Sequence, residues 1–425
     1  MARCRFDPLA YVDPQPSPAI IHALGFVNRW FILPIALRIP HVDLPAEDLA
    51  RLRAVVRPGA AAFVAPNHPE FMTDWMLDKE VSRRVSPLMA HWASYEIVNI
   101  AKIPQWLWLR NNLIANAPGG GGRAYSVRWA RTGRGVLLHP EGTPTWRGER
   151  IGPLVPGVVQ MAWETRHTQA GLPVYVVPLV WKLHFLGDVS AALAREIDYM
   201  ERRLGVPHQA PAPLEQRFAG LQKEVLAVSL ARHGAPEAKR AGEIADHEFF
   251  ALQAAHAARL LGELESRHGR SAGDEARRFH GLRRAIHAQA ATDAGAACRD
   301  RRTLMEIERL HRFTRTDYGG PTLTQEQIGE TLKQTRLALF TRGLRDGLHG
   351  VLPVAVAPRI ARIRVPEPIA VHTAFARGGE EAAEQDALLA LLAGRLQGAL
   401  DGLRTEIAPD VDPFRRPNPF AGGPV

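Results

Sequence analysis

Short apolar runs alternate with stretches of helical periodicity over residues 55–190, which is the pattern of an α/β fold. Helices are predicted between the runs, among them Met72–Arg84, Arg123–Arg131 and Gly157–His167. Strands alternating with helices imply a mainly parallel sheet covered by helices. The predicted strands are Ala61–Ala65, Pro87–Ala90, Asn112–Ala115, Gly135–Leu138 and Pro173–Pro178.

The pattern changes near Ser190, where β-branched runs stop and helical spacing continues to about residue 348. β-like text then returns at Val351–Ala357 and Ile360–Val371, and a last helix, Gly379–Ile407, follows. A separate C-terminal helical domain would leave the returning strand without a sheet partner, so we favour a helical insertion. Its predicted helices are Ala192–Leu204, Leu214–His233, Asp246–His268, Asp274–Ala291, Arg301–Phe313 and Leu323–Leu348.

The expected organisation therefore has five parts. An N-terminal amphipathic segment at a membrane interface covers residues 1–50, and an α/β core covers 51–190. The all-helical insertion covers 191–348, and the chain returns to the core and its C-terminal helix over 349–410. Residues 411–425 are rich in Pro and Gly, which predicts a flexible tail.

The run Ala19–Pro40 is the most apolar stretch near the N-terminus, but Asn28, Arg29, Pro34 and Arg38 interrupt it. A membrane-spanning helix needs about 20 mostly apolar residues. An interfacial helix, with aromatic and Arg side chains at the lipid headgroups, fits the run better. A helix that covers the protein core is the alternative, and the sequence leaves both open.

Composition narrows the class of partner. The formal net charge is +9, carried mostly by Arg, which favours anionic partners such as a membrane surface or an acyl-CoA. No zinc-ligand spacing, RNA-binding signature or Walker loop is present, so we expect no metal and no nucleic acid. The N-terminus lacks the apolar core of a secretion signal, which favours a cytoplasmic location.

Two short segments carry the candidate chemistry. Asn67–Asp74 and His139–Thr143 each follow an apolar, strand-like run, so each would lie at a strand end, where sites are commonly built. His68 offers a base, and Asp74, six residues later, offers a carboxylate to orient it. Such a pair can activate a hydroxyl for acyl transfer. A His that caps the helix and a solvated Asp would give the same sequence pattern.

These segments resemble the motifs of the glycerolipid acyltransferase superfamily, the PlsC-like lysophospholipid acyltransferases. Asn67-His68 with Asp74 is similar to the first motif, with five residues between His and Asp where four are usual. Pro140–Thr143 matches the Pro-Glu-Gly-Thr motif. Val176–Leu179 is similar to the strand that ends in proline, and Glu367-Pro368-Ile369 to a late strand. The resemblance implies a sheet of the glycerol-3-phosphate acyltransferase type and does not cover the insertion.

The resemblance also implies a reaction. His68, oriented by Asp74, would take the proton of an acceptor hydroxyl as it attacks the thioester of acyl-CoA or acyl carrier protein. Asn67, Glu141, Gly142 and Thr143 would bind or shape the acceptor site. No cofactor is implied beyond the acyl donor. The expected protein is a 1-acylglycerol-3-phosphate acyltransferase-like enzyme, peripheral or monotopic on the cytoplasmic face of the membrane.

Two departures bear on the acceptor. Ala117 stands where relatives acting on lysophosphatidic acid usually carry Arg, and Pro144 follows Glu-Gly-Thr where Arg is common. Arg110, Arg123 and Arg147 would supply guanidinium groups for a phosphate, or would simply be solvated. A lipid-binding protein that lost the reaction, and a CoA-independent phospholipid transacylase, remain the alternatives.

Overall fold

The structure is a computed structural model that describes residues 11–99, 101–117, 119–169, 171–206, 212–273, 275–340, 343–374 and 380–421. The chain divides into two compact units. Within the described residues, the α/β unit comprises 11–183 and 359–406, and the helical unit comprises 184–358 and 407–421.

A mostly parallel sheet forms the centre of the α/β unit. Its strands lie in the order β1-β8-β6-β2-β5-β3-β4, with β9 antiparallel to β6. The neighbours β1–β8, β6–β2, β2–β5, β5–β3 and β3–β4 are parallel. The strands are β1 (His41–Asp43), β2 (Ala61–Pro66), β3 (Ala90–Ser94), β4 (Leu113–Asn116), β5 (Val136–Leu137), β6 (Val174–Phe185), β8 (Arg359–Arg364) and β9 (Ile369–Ala370).

Helices cover both faces of this sheet, which is why all six residues of β2 are buried. The long C-terminal helix packs on the core through Leu388, Leu392, Leu396 and Leu400, spaced four apart on one face. The helices are α1 (Pro18–Val27), α2 (Ala46–Val55), α3 (Thr73–Val85), α4 (Tyr95–Val98), α5 (Lys102–Arg110), α6 (Gly121–Ala130), α7 (Gly157–Thr168), α16 (Val371–Ala374) and α17 (Glu381–Val411).

The helical unit packs around its own apolar core, with Phe218, Phe249 and Phe420 among its buried side chains. Its helices are α8 (Ser190–Leu204), α9 (Leu214–Arg232), α10 (Phe249–His268), α11 (Glu275–Gln289), α12 (Ala294–Leu310), α13 (Arg315–Tyr318), α14 (Gln325–Leu339) and α15 (Leu344–Val351). A two-stranded antiparallel sheet joins β7 (Thr322–Leu323) to β10 (Arg416–Pro417).

The prediction of a mixed α/β fold with a mainly parallel sheet is confirmed, and several details were wrong. The strand expected at Pro87–Ala90 begins only at Ala90. Val351–Ala357 forms no strand, because α15 extends to Val351 and Pro353 cannot donate to a ladder. The pattern missed β1, since three residues are too few to show alternation. The strand β8 joins the same sheet as the strands β2 to β6.

The prediction of a flexible tail over residues 411–425 was wrong for residues 411–421. Phe420 is 2% exposed within the core of the helical unit. Asn418 is also buried, and its side-chain amide donates to the carbonyls of Tyr318 and Gly320. A ring that buries this fully holds its segment in place, whatever the Pro and Gly content around it. Residues 422–425 lie outside the described residues.

The run Ala19–Pro40 has two different faces. The helix α1 continues as a π-helical stretch, Asn28–Ala36, and together they are long and apolar enough to cross a membrane by length and composition alone. One face is buried through Ile21 and Leu33, and the Asn28 amide donates to the carbonyl of Met76 in α3 at 2.8 Å. The other face leaves Trp30 and Ile35 more than half exposed. The buried face fits the helix that covers the core, and the interfacial reading stays a prediction.

Candidate active site

Two neighbouring strands deliver two histidines to one edge of the sheet. The strands β2 and β5 are parallel, with Phe63 paired to Val136 and Val64 to Leu137. The chain leaves both strands in the same direction, so His68 and His139 lie side by side beyond the strand ends. Their rings stack with centroids 4.0 Å apart and planes 15° apart.

One helix supplies a carboxylate to each histidine. Asp74 and Asp78 are four residues apart in α3 and therefore lie on the same helical face. The Asp74 carboxylate faces His68 Nδ1, and Asp78 Oδ2 lies 2.9 Å from His139 Nε2. Both carboxylates are almost fully buried, at 3% and 1% exposed. The predicted His68–Asp74 pair is present, and a second, unpredicted pair lies against it.

The turn before α3 is held in a strained conformation. Met72, a non-glycine residue, has φ +65°, and α3 starts at the next residue. Glu70, within this turn, forms a buried two-pronged ion pair with Arg359 in β8. Because breaking such a buried pair leaves a lone charge, this contact fixes the turn on which His68 sits.

Asn67 braces the end of β2 against β6. Its side-chain amide donates to the carbonyl of Trp181 at 3.0 Å, and its side-chain oxygen accepts from the Trp181 N–H at 2.9 Å. Its own carbonyl oxygen lies 3.0 Å from His139 Nδ1. Asn67 was predicted to bind substrate, and here its side chain positions the backbone that carries His68.

Glu141 ties the two motif segments together. One carboxylate oxygen accepts the His68 N–H and the other accepts the Gly152 N–H, each at 2.5 Å. Burial raises the pKa of Glu141, and these two hydrogen bonds oppose the rise. A Cβ at Gly152 would lie 2.8 Å from the Thr145 methyl and 2.9 Å from the Glu141 carboxylate, so a larger residue there would displace these side chains. Glu141 thus shapes the site through backbone contacts.

The remaining predicted substrate residues lie in different surroundings. Gly142 turns the chain with φ +74°, and Thr143 beside it is partly exposed. Arg147 lies close enough to Glu141 for its charge to lower the pKa of that carboxyl. Arg123 pairs with Glu164 at 2.6 Å, and the Arg110 guanidinium lies 5.8 Å from the ring of Trp106. The described contacts link only Arg147 to the histidine cluster.

The electrostatics of the second pair differ from those of an ordinary histidine. Burial alone would lower the pKa of His139, but the charge and hydrogen bond of Asp78, with help from Asp74 and the Asn67 carbonyl, raise it to about 9. Burial raises the pKa of Asp78, and His139 opposes that rise. Burial also lowers the pKa of the adjacent Lys79 to about 7, with Asp78 working against it. The contacts with Asp78 therefore favour the protonated, cationic form of His139.

Metal binding is a separate question for this cluster. The nearest ligand atoms of His68, Asp74 and His139 lie within 4.8 Å of one another, a spacing that an ion would accept. Both ring nitrogens of His139 already face oxygen acceptors, however, and an ion would have to displace one. Two histidine–carboxylate pairs account for the grouping without a metal, and the prediction of no metal stays a prediction.

Sequence reasoning missed His139 and Asp78. Two signals point to them in retrospect: His139 directly precedes Pro140 at the end of an apolar run, and Asp78 follows Asp74 by one helical turn. Neither signal is decisive until β2 and β5 are known to be neighbours.

Comparison with protein-family models and with curated proteins finds no match to this chain.

Proposed function

We propose that this protein is an O-acyltransferase that moves a fatty acyl group from acyl-CoA or acyl carrier protein to a hydroxyl of a glycerolipid or lysophospholipid. The observation that carries the proposal is the His68–Asp74 pair, held at the end of a parallel strand with Glu141 locking its backbone. We also propose that the sheet is of the glycerol-3-phosphate acyltransferase type.

The chemistry follows from the orientation of His68. Its Nδ1 faces Asp74, so Nε2 is the nitrogen that takes the proton of the acceptor hydroxyl. The oxygen attacks the thioester carbonyl, the tetrahedral intermediate collapses, and the departing thiolate takes the proton back from His68. Asp74 fixes the tautomer and stabilises the imidazolium formed midway. No covalent acyl-enzyme is needed, and no cofactor enters.

A phosphorylated acceptor is supported less directly. Of the three predicted arginines, Arg147 is the one whose charge reaches Glu141. A guanidinium at this position suits a phosphate, because its fork of N–H donors matches two phosphate oxygens. We therefore assign the acceptor headgroup to the side of the site where Arg147 lies.

Membrane attachment is the second part of the proposal. Most of the exposed large apolar side chains of the α/β unit belong to α1, its π-helical continuation and α5, which we call the apolar patch: Phe26, Val27, Trp30, Phe31, Ile35, Ile103 and Trp106. Backbone hydrogen bonds from Gln15 and Ser17 to Leu109 and Arg110 join its two halves. Exposed aromatic rings beside arginines suit a lipid interface on the cytoplasmic face.

The test of the reaction is His68→Ala in purified protein, assayed with acyl-CoA and acyl carrier protein against a panel of lysolipids. Loss of a general base costs about 10²- to 10⁴-fold in rate, and the circular dichroism spectrum should not change. An unchanged rate would refute the assignment. Lipid binding without turnover in the wild type would favour the lipid-binding alternative, and turnover without a thioester would favour the transacylase.

The test of attachment is co-sedimentation with vesicles of phosphatidylglycerol and phosphatidylcholine. Replacing Trp30, Phe31 and Ile35 together by Ser should release the protein from vesicles. The matched control replaces the exposed Leu344, Leu348 and Val351 of the helical unit, which lie outside the apolar patch. Equal binding of the wild type and the first variant would place the membrane contact elsewhere.

A further inference from the structure

The His139–Asp78 pair has no assigned task in the reaction, and its geometry defines one. His139 Nδ1 lies 3.0 Å from the Asn67 carbonyl oxygen, and Nε2 lies 2.9 Å from the Asp78 carboxylate. A backbone carbonyl can only accept a hydrogen bond. Nδ1 must then donate, while Nε2 shares a proton with the Asp78 carboxyl. With that proton on Nε2 the ring is an imidazolium. The burial and charges described above point the same way.

Both nitrogens of this ring face protein oxygens, the Asn67 carbonyl and the Asp78 carboxylate. We therefore assign His139 no direct hydrogen bond to a substrate. Among the described residues, the His68 ring stacks on it with centroids 4.0 Å apart, and the charge of His139 also reaches Glu141. The stacked ring is the contact through which we expect His139 to affect the reaction.

We propose that His139, fixed as an imidazolium by Asp78 and Asn67, is a positioning residue that keeps the stacked His68 in its neutral, proton-accepting form. The inference rests on the proposed role of His68 as the base. Asp74 alone favours a protonated His68, which cannot act as a base. A second positive charge stacked on the ring opposes that protonation, and the two carboxylates can then orient both rings without disabling the base.

Other charged groups face the pair from every surrounding element. None of them stacks on His68 as His139 does, and three form hydrogen bonds of their own: Lys79 to the Asn111 carbonyl, Glu141 to two backbone N–H groups, and His91 to Ser82. Burial lowers the pKa of His91 well below its usual value, so that ring is neutral. The groups are Asp74, Asp78 and Lys79 on α3, His91 on β3, Glu141 and Arg147 after β5, Lys182 with Glu149, and the Glu70–Arg359 pair.

The first measurement is made on the wild type, and variants serve only to assign its spectrum. Nuclear magnetic resonance of ¹⁵N-histidine protein, with His68→Ala and His139→Gln spectra for assignment, reports the proton count of each ring. We expect His139 to carry two protons at pH 7 while His68 carries one. A neutral His139 at pH 7 would overturn the proposal.

The second measurement removes the positive charge of His139 by substitution. In His139→Gln the pH at which His68 gains its proton should rise by about one to two units, the scale set by a unit charge about 4 Å away. The acid limb of kcat/KM should rise with it. The rate then falls about tenfold near pH 6 and equals or exceeds the wild type near pH 9. A uniform loss at all pH values, with the limb unmoved, would show a purely structural role and overturn the proposal.

Two further variants keep the test decisive. Asp78→Asn with His139→Gln replaces the charged pair by a neutral one, so no lone carboxylate remains buried. It should show a smaller shift in the same upward direction, because a carboxylate that favours protonated His68 is lost as well. His372→Gln removes an imidazole that contacts Tyr175 and β6 outside this cluster, and it should leave the limb unmoved. Coupling between the rings without any acyl transfer would sink the proposed function alone. Transfer that depends on His68, with no coupling, would sink this inference alone.

Discussion

Each unit of the molecule buries a histidine against an aspartate, and the surroundings of the two pairs differ. In the helical unit, His268 Nε2 lies 2.8 Å from Asp300, but Asp300 also pairs with Arg267 at 3.1 Å. In the α/β unit, Asp74 and Asp78 each face a histidine, and the two rings stack. Arginine never releases its proton, whereas imidazole does near neutral pH. A histidine–aspartate pair is therefore a site only where its neighbours leave the proton free to move.

The larger buried networks of the helical unit follow the same rule. Arg336 bridges Glu196 at 2.9 Å and Asp346 at 3.1 Å. Burial and the charge of Arg259 lower the pKa of His256 to about 4, so its ring stays neutral. These networks fix helices against one another. The α/β unit instead gathers its titratable groups at the ends of β2 and β5.

The largest expected effect tests this comparison with one chemical change made in both units. Asp74→Asn keeps the shape of the side chain and removes the charge that orients His68. We expect kcat to fall about 10³-fold with little change in stability, since the base loses its orienting charge. Asp300→Asn should leave kcat unchanged and lower the free energy of unfolding. Steady-state kinetics and urea unfolding separate the two outcomes, and equal kinetic losses would erase the distinction between the pairs.

How far the sequence foresees this site depends on the separation of its parts. Asp74 lies six residues from His68, so one strand–turn–helix motif predicts the pair. His139 and Asp78 come together only because β5 lies beside β2, an adjacency that no local pattern encodes. Glu70 and Arg359 are 289 residues apart, with the helical unit between them in the chain. The sequence therefore predicts the local His68–Asp74 pair, and it does not predict the contacts that depend on strand order.

The next effect concerns stability in the helical unit. Arg336→Met would leave Glu196 and Asp346 buried without their shared cation, and removing one partner of a buried pair costs about 3 kcal/mol. Arg345, whose side chain is 59% exposed, also contacts Glu196. Arg345→Met should cost less than about 1 kcal/mol, because an exposed pair is screened by solvent. Urea unfolding gives both values. A similar cost for the two variants would mean that burial does not set the strength of this network.

The smallest expected effect is a difference between the two units in the pH dependence of their stability. In the α/β unit the pKa of His139 is raised to about 9 in the folded chain, above the ordinary histidine value near 6.5. Its contribution is therefore complete below about pH 6.5 and is lost as pH rises through about 9. In the helical unit burial would raise the pKa of Glu306, but Arg309 and Ser229 lower it to about 2. That contribution is complete above about pH 4.5 and is lost as pH falls toward 2.

Hydrogen exchange followed by mass spectrometry reads the two units separately. The protection that His139 gives the amides of β2 and β5, taken as wild type minus His139→Gln, should fall by on the order of 2 kcal/mol between pH 6.5 and 9. This difference removes the opposite effect of Lys79, whose lowered pKa raises stability in the same window. Amides of α12 should keep their protection in that window and lose it only in acid. His139→Gln should flatten the alkaline loss, and Glu306→Gln the acid loss. If both units instead weaken in the same window, the charges that stabilise them do not differ in kind, because of these two groups only His139 releases its proton on the alkaline side of neutrality.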